Sequence, residues 1–143
     1  MVKKSFNAGF IFIILGIFAG AFYREFTLFL GFTGQTSMSV MHTHLLTTGG
    51  FMFFIFALCF KAFNVAPSKK LNILLPAYLV SVVGNVAVMF VRGLFEVMGW
   101  EITKAINGTL SGIAGLDHIL LTITLIWIFN IIRKAVPRDT VTA

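Results

Sequence analysis

The sequence predicts an all-α integral membrane protein, a four-helix bundle with both termini in the cytoplasm. Three observations predict it: the hydropathy of the chain, the number of long apolar stretches and the placement of the basic residues. Of the 143 residues, 58% are hydrophobic, and the mean hydropathy of +0.96 is far above that of a soluble domain. We expect one four-helix transmembrane domain over residues 1–143.

Four apolar stretches are long enough to cross a hydrocarbon core, which needs about 20 residues per helix. They are Phe6–Tyr23, Val40–Phe60, Leu71–Val91 and Leu110–Ile132. The first also fits a secretory signal, but its apolar run is long for one, so we expect a retained helix. The link Asn64–Lys70 is short, which predicts that the second and third helices are antiparallel neighbours. The links Phe26–Ser39 and Gly93–Gly108 are longer and have interfacial composition.

The basic residues concentrate at one end of the predicted bundle. Alternating helices place eight of them at that end and three, Arg24, Arg92 and Lys104, at the other; the eight are Lys3, Lys4, Lys61, Lys69, Lys70, Arg133, Lys134 and Arg138. The positive-inside rule then predicts cytoplasmic termini. The net charge of +6 therefore reflects topology, and we expect no nucleic-acid partner.

Few side chains inside the predicted spans can carry chemistry. The single cysteine, Cys59, excludes an internal disulfide and any CxxC motif, and we interpret it as a packing or lipid-facing residue. The ionisable residues in the spans are His42, His44, Asp117 and His118. Such residues are costly in lipid and mark function by default.

Two of the histidines are predicted to lie at one depth. His44 precedes Lys61 by 17 residues and His118 precedes Arg133 by 15, which places them about 25 and 22 Å from the basic anchors. Counting 15 residues from Lys70 reaches Asn85, preceded by Gly84, and counting 16 residues from Lys4 reaches Gly20. These residues are therefore predicted to lie in the same layer as the two histidines.

Small residues of the first helix fall in the same layer. Gly16 and Gly20 lie four apart, which is typical of a small-xxx-small helix-packing seam. A smooth wall of this kind also leaves room for a flat ligand, and the two interpretations are compatible.

A haem fits this layer, because haem iron takes axial histidines from facing helices. We predict His44 and His118 as the ligand pair. His42 is a weaker candidate, because it lies about 200° around the helix from His44. Arg24 and Arg92 are candidates for the haem propionates, or are ordinary snorkelling anchors.

Asp117 leaves several alternatives open. Its carboxylate could pair with Arg24, Arg92 or His42, or it could orient a ligand histidine as a hydrogen-bond acceptor. The sequence alone does not choose among them.

The stretch Met41-His42-Thr43-His44-Leu45-Leu46, followed by Gly49-Gly50-Phe51, resembles the haem-ligand helices of haem-copper oxidases and nitric oxide reductases. The whole chain resembles a family of small, uncharacterised four-helix bacterial membrane proteins, with H-x-H on helix two and Gly115-Leu116-Asp117-His118 on helix four. The resemblance implies haem b bound by His44 and His118 in the bacterial cell membrane. A haem-copper centre needs three further histidines, and only His42 remains, so oxygen reduction by that mechanism is not expected.

The sequence thus favours a haem b protein with two histidine ligands that acts in electron transfer or in haem or redox sensing. Its partners would be the lipid bilayer and a quinol or a redox protein, and enzymatic turnover and a homodimer are left open. One alternative is a zinc or copper site made by His42, His44, Asp117 and His118. Another is a proton-coupled carrier or accessory subunit in which the histidines titrate or pack.

Overall fold

The computed structural model describes residues 1–137 and contains four long helices, with no strand in that range. The helices are α1 (Val2–Phe29), α2 (Ser37–Ala62), α3 (Lys69–Met98) and α4 (Lys104–Ala135). All four are long and apolar enough to cross a membrane. The predicted all-helical fold with four long apolar helices is confirmed.

Helices α3 and α4 begin before the predicted apolar stretches, at positions where polar side chains cap them. The hydroxyl of Ser68 accepts a hydrogen bond from the amide of Leu71 at the start of α3, and Thr103 does the same for Ile106 in α4. Helix α3 ends at Met98, and the next residue, Gly99, has a left-handed φ of 67° that glycine adopts readily. The expected long link over 93–108 is therefore wrong, and only residues 99–103 join α3 to α4.

Neighbouring helices run antiparallel, as their contacts show. Helices α1 and α2 meet where Gly9 lies against Phe54 and Gly16 against Leu46. Such glycines let the two backbones approach closely. Helices α3 and α4 meet where Gly84 lies against the side chain of Asp117.

Because neighbouring helices are antiparallel, the two ends of the bundle differ in composition. We call one the basic end, because seven basic residues lie there: Lys3, Lys4, Lys61, Lys69, Lys70, Arg133 and Lys134. The eighth predicted member, Arg138, lies outside the described residues. We call the other half the histidine half, because it contains His42, His44 and His118.

An aromatic cluster holds α2, α3 and α4 together. Phe53 and Phe56 of α2 pack edge-on against Tyr78 of α3, with ring centroids 5.5 and 5.3 Å away. Phe56 also meets Phe129 of α4 at 5.8 Å. These edge-to-face contacts are favourable arrangements for aromatic rings, and they fix the spacing of the three helices on this side of the bundle.

Helix α2 changes its winding at the histidines. It starts as a 3-10 helix (Ser37–Val40), continues as an α-helix (Met41–His44), opens into a π-helix (Leu45–Phe51) and closes as an α-helix (Met52–Ala62). A π turn leaves carbonyls without their usual α-helical donors. The hydroxyls of Thr47 and Thr48 donate to the carbonyls of Thr43 and His44, both at 2.6 Å, and Tyr78 donates to the carbonyl of Thr48 at 2.6 Å.

Candidate functional site

The rings of His44 and His118 are each oriented by their own helix. The Nδ1 atom of His44 lies 2.9 Å from the carbonyl oxygen of Val40, and that of His118 lies 2.7 Å from the carbonyl oxygen of Ala114. A carbonyl oxygen only accepts, so Nδ1 carries the proton in both neutral rings. The lone pair then resides on Nε2, which is the nitrogen that can bind a metal.

His118 lies on the side of α4 that faces α2. Toward the basic end this side contacts α2 directly, since Leu125 and Phe129 share a groove with Cys59 and Phe63. His118 precedes Leu125 by seven residues and Phe129 by 11, so all three fall within about 20° of one line along the helix.

Because of the π turn, His44 lies on nearly the same side of α2 as Phe56, the residue that contacts α4. His44 precedes Phe56 by 12 residues, and in a regular α-helix the two would lie about 120° apart. A single π turn takes up one extra residue, which reduces that angle to about 20°.

The same count places both histidines at one level. Phe56 and Phe129 are in contact. With the extra residue of the π turn left out of the count, His44 is 11 residues from Phe56, and His118 is 11 residues from Phe129. Both rises are about 16 Å. Counting from this contact therefore leads to the same prediction as counting from the basic anchors, that the two histidines lie at one depth.

The histidine half of α4 makes few contacts. Among residues 104–119, Leu110 is buried, Ala114 and Asp117 are half-buried, and the remaining residues are exposed. A Cβ atom placed on Gly108, Gly112 or Gly115 would have no neighbour within 4 Å. The buried residues face α3, and His118, on a neighbouring side of α4, is exposed.

Helix α3 packs against both α2 and α4, and so lies beside the helices that carry His44 and His118. Asn85 is 4% exposed and donates through Nδ2 to the carbonyl of Ser81 at 3.0 Å. Arg92 follows seven residues later, on the same side of the helix. Its Nη2 atom donates to Oγ of Ser111 at 2.9 Å, and Ser111 lies seven residues before His118 on the same line of α4. The guanidinium group is therefore positioned beyond His118, toward the end of the bundle.

The structure does not bring Gly20 and Arg24 to this place. Gly20 lies against His42 in the interface between α1 and α2, with a Cβ position 3.6 Å from that side chain. The Nδ1 atom of His42 is buried and finds no hydrogen-bond partner within residues 1–137. Arg24 is exposed and forms an ion pair with the adjacent Glu25 at 3.3 Å.

Asp117 makes none of the ion pairs considered for it. Its carboxylate lies on Gly84 between α3 and α4, and Oδ2 is buried without a hydrogen-bond partner in the part of the chain that the structure describes. Within residues 1–137 no group of three or more His, Cys, Asp and Glu side chains is placed to hold a metal ion. Of the four side chains of the zinc or copper alternative, His42 lies between α1 and α2 and Asp117 lies between α3 and α4, so these two are in different interfaces.

A family model described as "Protein of unknown function (DUF2871)" matches residues 2–135. The chain belongs to the DUF2871 family. Comparisons with curated proteins and with solved structures gave no match. The DUF2871 match begins where α1 begins and ends where α4 ends, so the family unit coincides with the four helices.

Sequence analysis of this DUF2871 chain did not predict three features of the site. They are the π turn, the bond between Arg92 and Ser111, and the hydroxyl of Tyr78 on the π turn. The run Thr47-Thr48-Gly49-Gly50 is the signal that could have found the first. Its threonines can bond freed carbonyls, and its glycines disfavour a regular helix.

Proposed function

We propose that this DUF2871 chain binds haem b in the membrane, with Nε2 of His44 and of His118 at the two axial positions. The observation that supports the proposal is that the Nδ1 atoms of His44 and His118 are each bonded to a carbonyl of their own helix, and residue counting predicts that the two rings lie at one level. Protonation at Nδ1 gives the tautomer that a ligand histidine needs, and the Nδ1 bond orients the ring.

The surroundings of the two rings suit a flat, largely apolar group. The side of α4 that carries His118 is exposed, and a Cβ atom placed on the nearby Gly115 would have no neighbour within 4 Å. On α3, the buried amide of Asn85 offers a polar contact. Arg92 is the cation on this side of the bundle, and a guanidinium group suits propionate carboxylates because it donates two parallel hydrogen bonds.

This donor set favours electron transfer or redox sensing over gas binding, because two histidines leave no open position on the iron. Haem supplies one-electron chemistry when bound. The residues of this chain would bind it, exclude water and set its potential through the two imidazoles, the apolar surroundings and the charge of Arg92. A quinol in the membrane or a redox protein at the histidine half would exchange the electron.

We further propose that the basic end faces the cytoplasm of a bacterial cell. Seven basic residues in the described range lie at that end, against Arg24, Arg92 and Lys104 at the other. This imbalance supports cytoplasmic termini by the positive-inside rule.

An absorption spectrum of the detergent-purified protein, expressed with sufficient haem, tests the proposal. We expect a Soret band with sharp reduced α and β bands, lost in His44→Ala and in His118→Ala. His42→Ala is the matched control, because its ring faces α1, and it should keep the spectrum. A colourless protein with stoichiometric zinc or copper, or a spectrum that survives both ligand substitutions, would contradict the proposal.

A further inference from the structure

A cavity of about 270 Å³ lies between α1 and α3 at the basic end, away from the histidines. Its walls are mostly apolar and include Ala8, Leu75 and Leu79. Polar groups line it where both helices begin, at Lys4, Ser5 and Asn72. The cavity is therefore amphipathic, with its polar part at the end of the bundle.

Ser5 carries a polar atom that the rest of the described chain leaves unsatisfied. The residue is 1% exposed, and its Oγ finds no hydrogen-bond partner within residues 1–137. A helical serine commonly bonds the carbonyl four residues earlier, and Ser5 does not. Burying such a hydroxyl without a partner is unfavourable, so an acceptor oxygen beside it would stabilise this arrangement.

The charge around the cavity is of one sign. Helices α1 and α3 both start here, and helix N-termini attract anions through their free amides and the helix dipole. Lys3, Lys4, Lys69 and Lys70 lie in the first turns of these helices, which contain no acidic residue. The four carboxylates within residues 1–137, Glu25, Glu96, Glu101 and Asp117, all lie in the histidine half.

We propose that this cavity binds an anionic phospholipid. The apolar walls take part of an acyl chain, Lys4 and the two helix N-termini bind the phosphate, and the hydroxyl of Ser5 donates to a head-group oxygen. A neutral quinone ring would use the apolar walls and Ser5 but would make no charge interaction with the lysines and the helix N-termini. The site is separate from the histidines and does not depend on haem.

Native mass spectrometry of the purified full-length chain, titrated with phosphatidylglycerol or phosphatidylcholine, tests this site. We expect the wild type to retain one phosphatidylglycerol in preference to phosphatidylcholine. Lys4→Gln should weaken retention about fivefold, the factor that one lysine near an anionic lipid surface typically contributes. Ser5→Ala, which removes one hydrogen bond without adding bulk, should weaken it by a similar factor.

Lys134→Gln is the matched control, because this lysine is exposed at the same end but lies on α4, outside the cavity. It should bind phosphatidylglycerol as the wild type does. Equal retention of the two lipids by the wild type, unchanged binding in both cavity variants, or a copurifying quinone that phosphatidylglycerol does not displace would each overturn the proposal. The variants are mild, and an unchanged circular dichroism spectrum shows that they fold.

Discussion

Substituting alanine for Gly84 should separate α3 from α4 at the point where Asp117 packs. A Cβ atom at position 84 would lie 2.5 and 2.7 Å from the two carboxylate oxygens of Asp117 and 2.8 Å from its Cγ. Ordinary van der Waals contact begins at 3.4 Å. The side chain of Asp117 is short and its Oδ2 is buried, so it has little freedom to move away.

The overlap requires a local shift of up to about 0.9 Å, and overpacking of this kind costs about 1–3 kcal/mol. Unfolding of the detergent-solubilised protein by sodium dodecyl sulfate, followed by circular dichroism, measures the loss. Gly112→Ala is the matched control, because a Cβ atom there has no neighbour within 4 Å. It should be neutral, or more stable by up to about 1 kcal/mol, since alanine favours helix over glycine.

A second substitution isolates the cause. In Gly84→Ala/Asp117→Ala the carboxylate is gone, so the double variant should be about as stable as Asp117→Ala alone. The coupling energy between the two positions should then be about 1–3 kcal/mol. The reasoning is refuted if Gly84→Ala is as stable as Gly112→Ala, or if removing the carboxylate leaves the cost of the added methyl group unchanged.

Two further predictions concern α2. Deleting Thr47 removes the extra residue of the π turn, so His44 should rotate by about 100° relative to the aromatic core. Haem absorbance should then be lost, while the helix content measured by circular dichroism is kept. An unchanged absorption spectrum would refute the role given to the turn. Glu96→Gln should lower stability by about 1 kcal/mol, because its carboxylate accepts hydrogen bonds from the amide and the hydroxyl of Ser37 at the start of α2. Thermal unfolding in detergent measures this, with the exposed Glu101→Gln as the control that should not change.

The four long apolar helices were predictable because crossing a lipid bilayer imposes a simple condition on a chain. A segment that crosses must satisfy its backbone internally and present apolar side chains, and residues such as Phe18, Leu58 and Ile73 remain exposed in the folded bundle. The helix ends were less predictable, since capping by Ser68 and Thr103 depends on local hydrogen bonds that hydropathy does not report.

Residue counting predicts the depth of the candidate site but not the direction in which its side chains point. Counting residues from the basic anchors places His44 and His118 in one layer, because the rise per residue is nearly constant. Which way each ring faces depends on rotation about the helix axis. Gly20 shows the difference, since it shares the layer but faces His42 in another interface.

The amino-acid sequence by itself determined the number of long helices and their alternation, because these follow from hydropathy and from the short links. From a fixed rise per residue it also predicts one layer for the histidines. Only the tertiary structure decided which side chains share a space. Rotation about each helix axis is set by packing, by the contact of glycines with Phe54 and Asp117, and by the π turn that Tyr78 and two threonines stabilise. A change of one residue in a turn rotates everything beyond it by about 100°, and hydropathy is insensitive to that change.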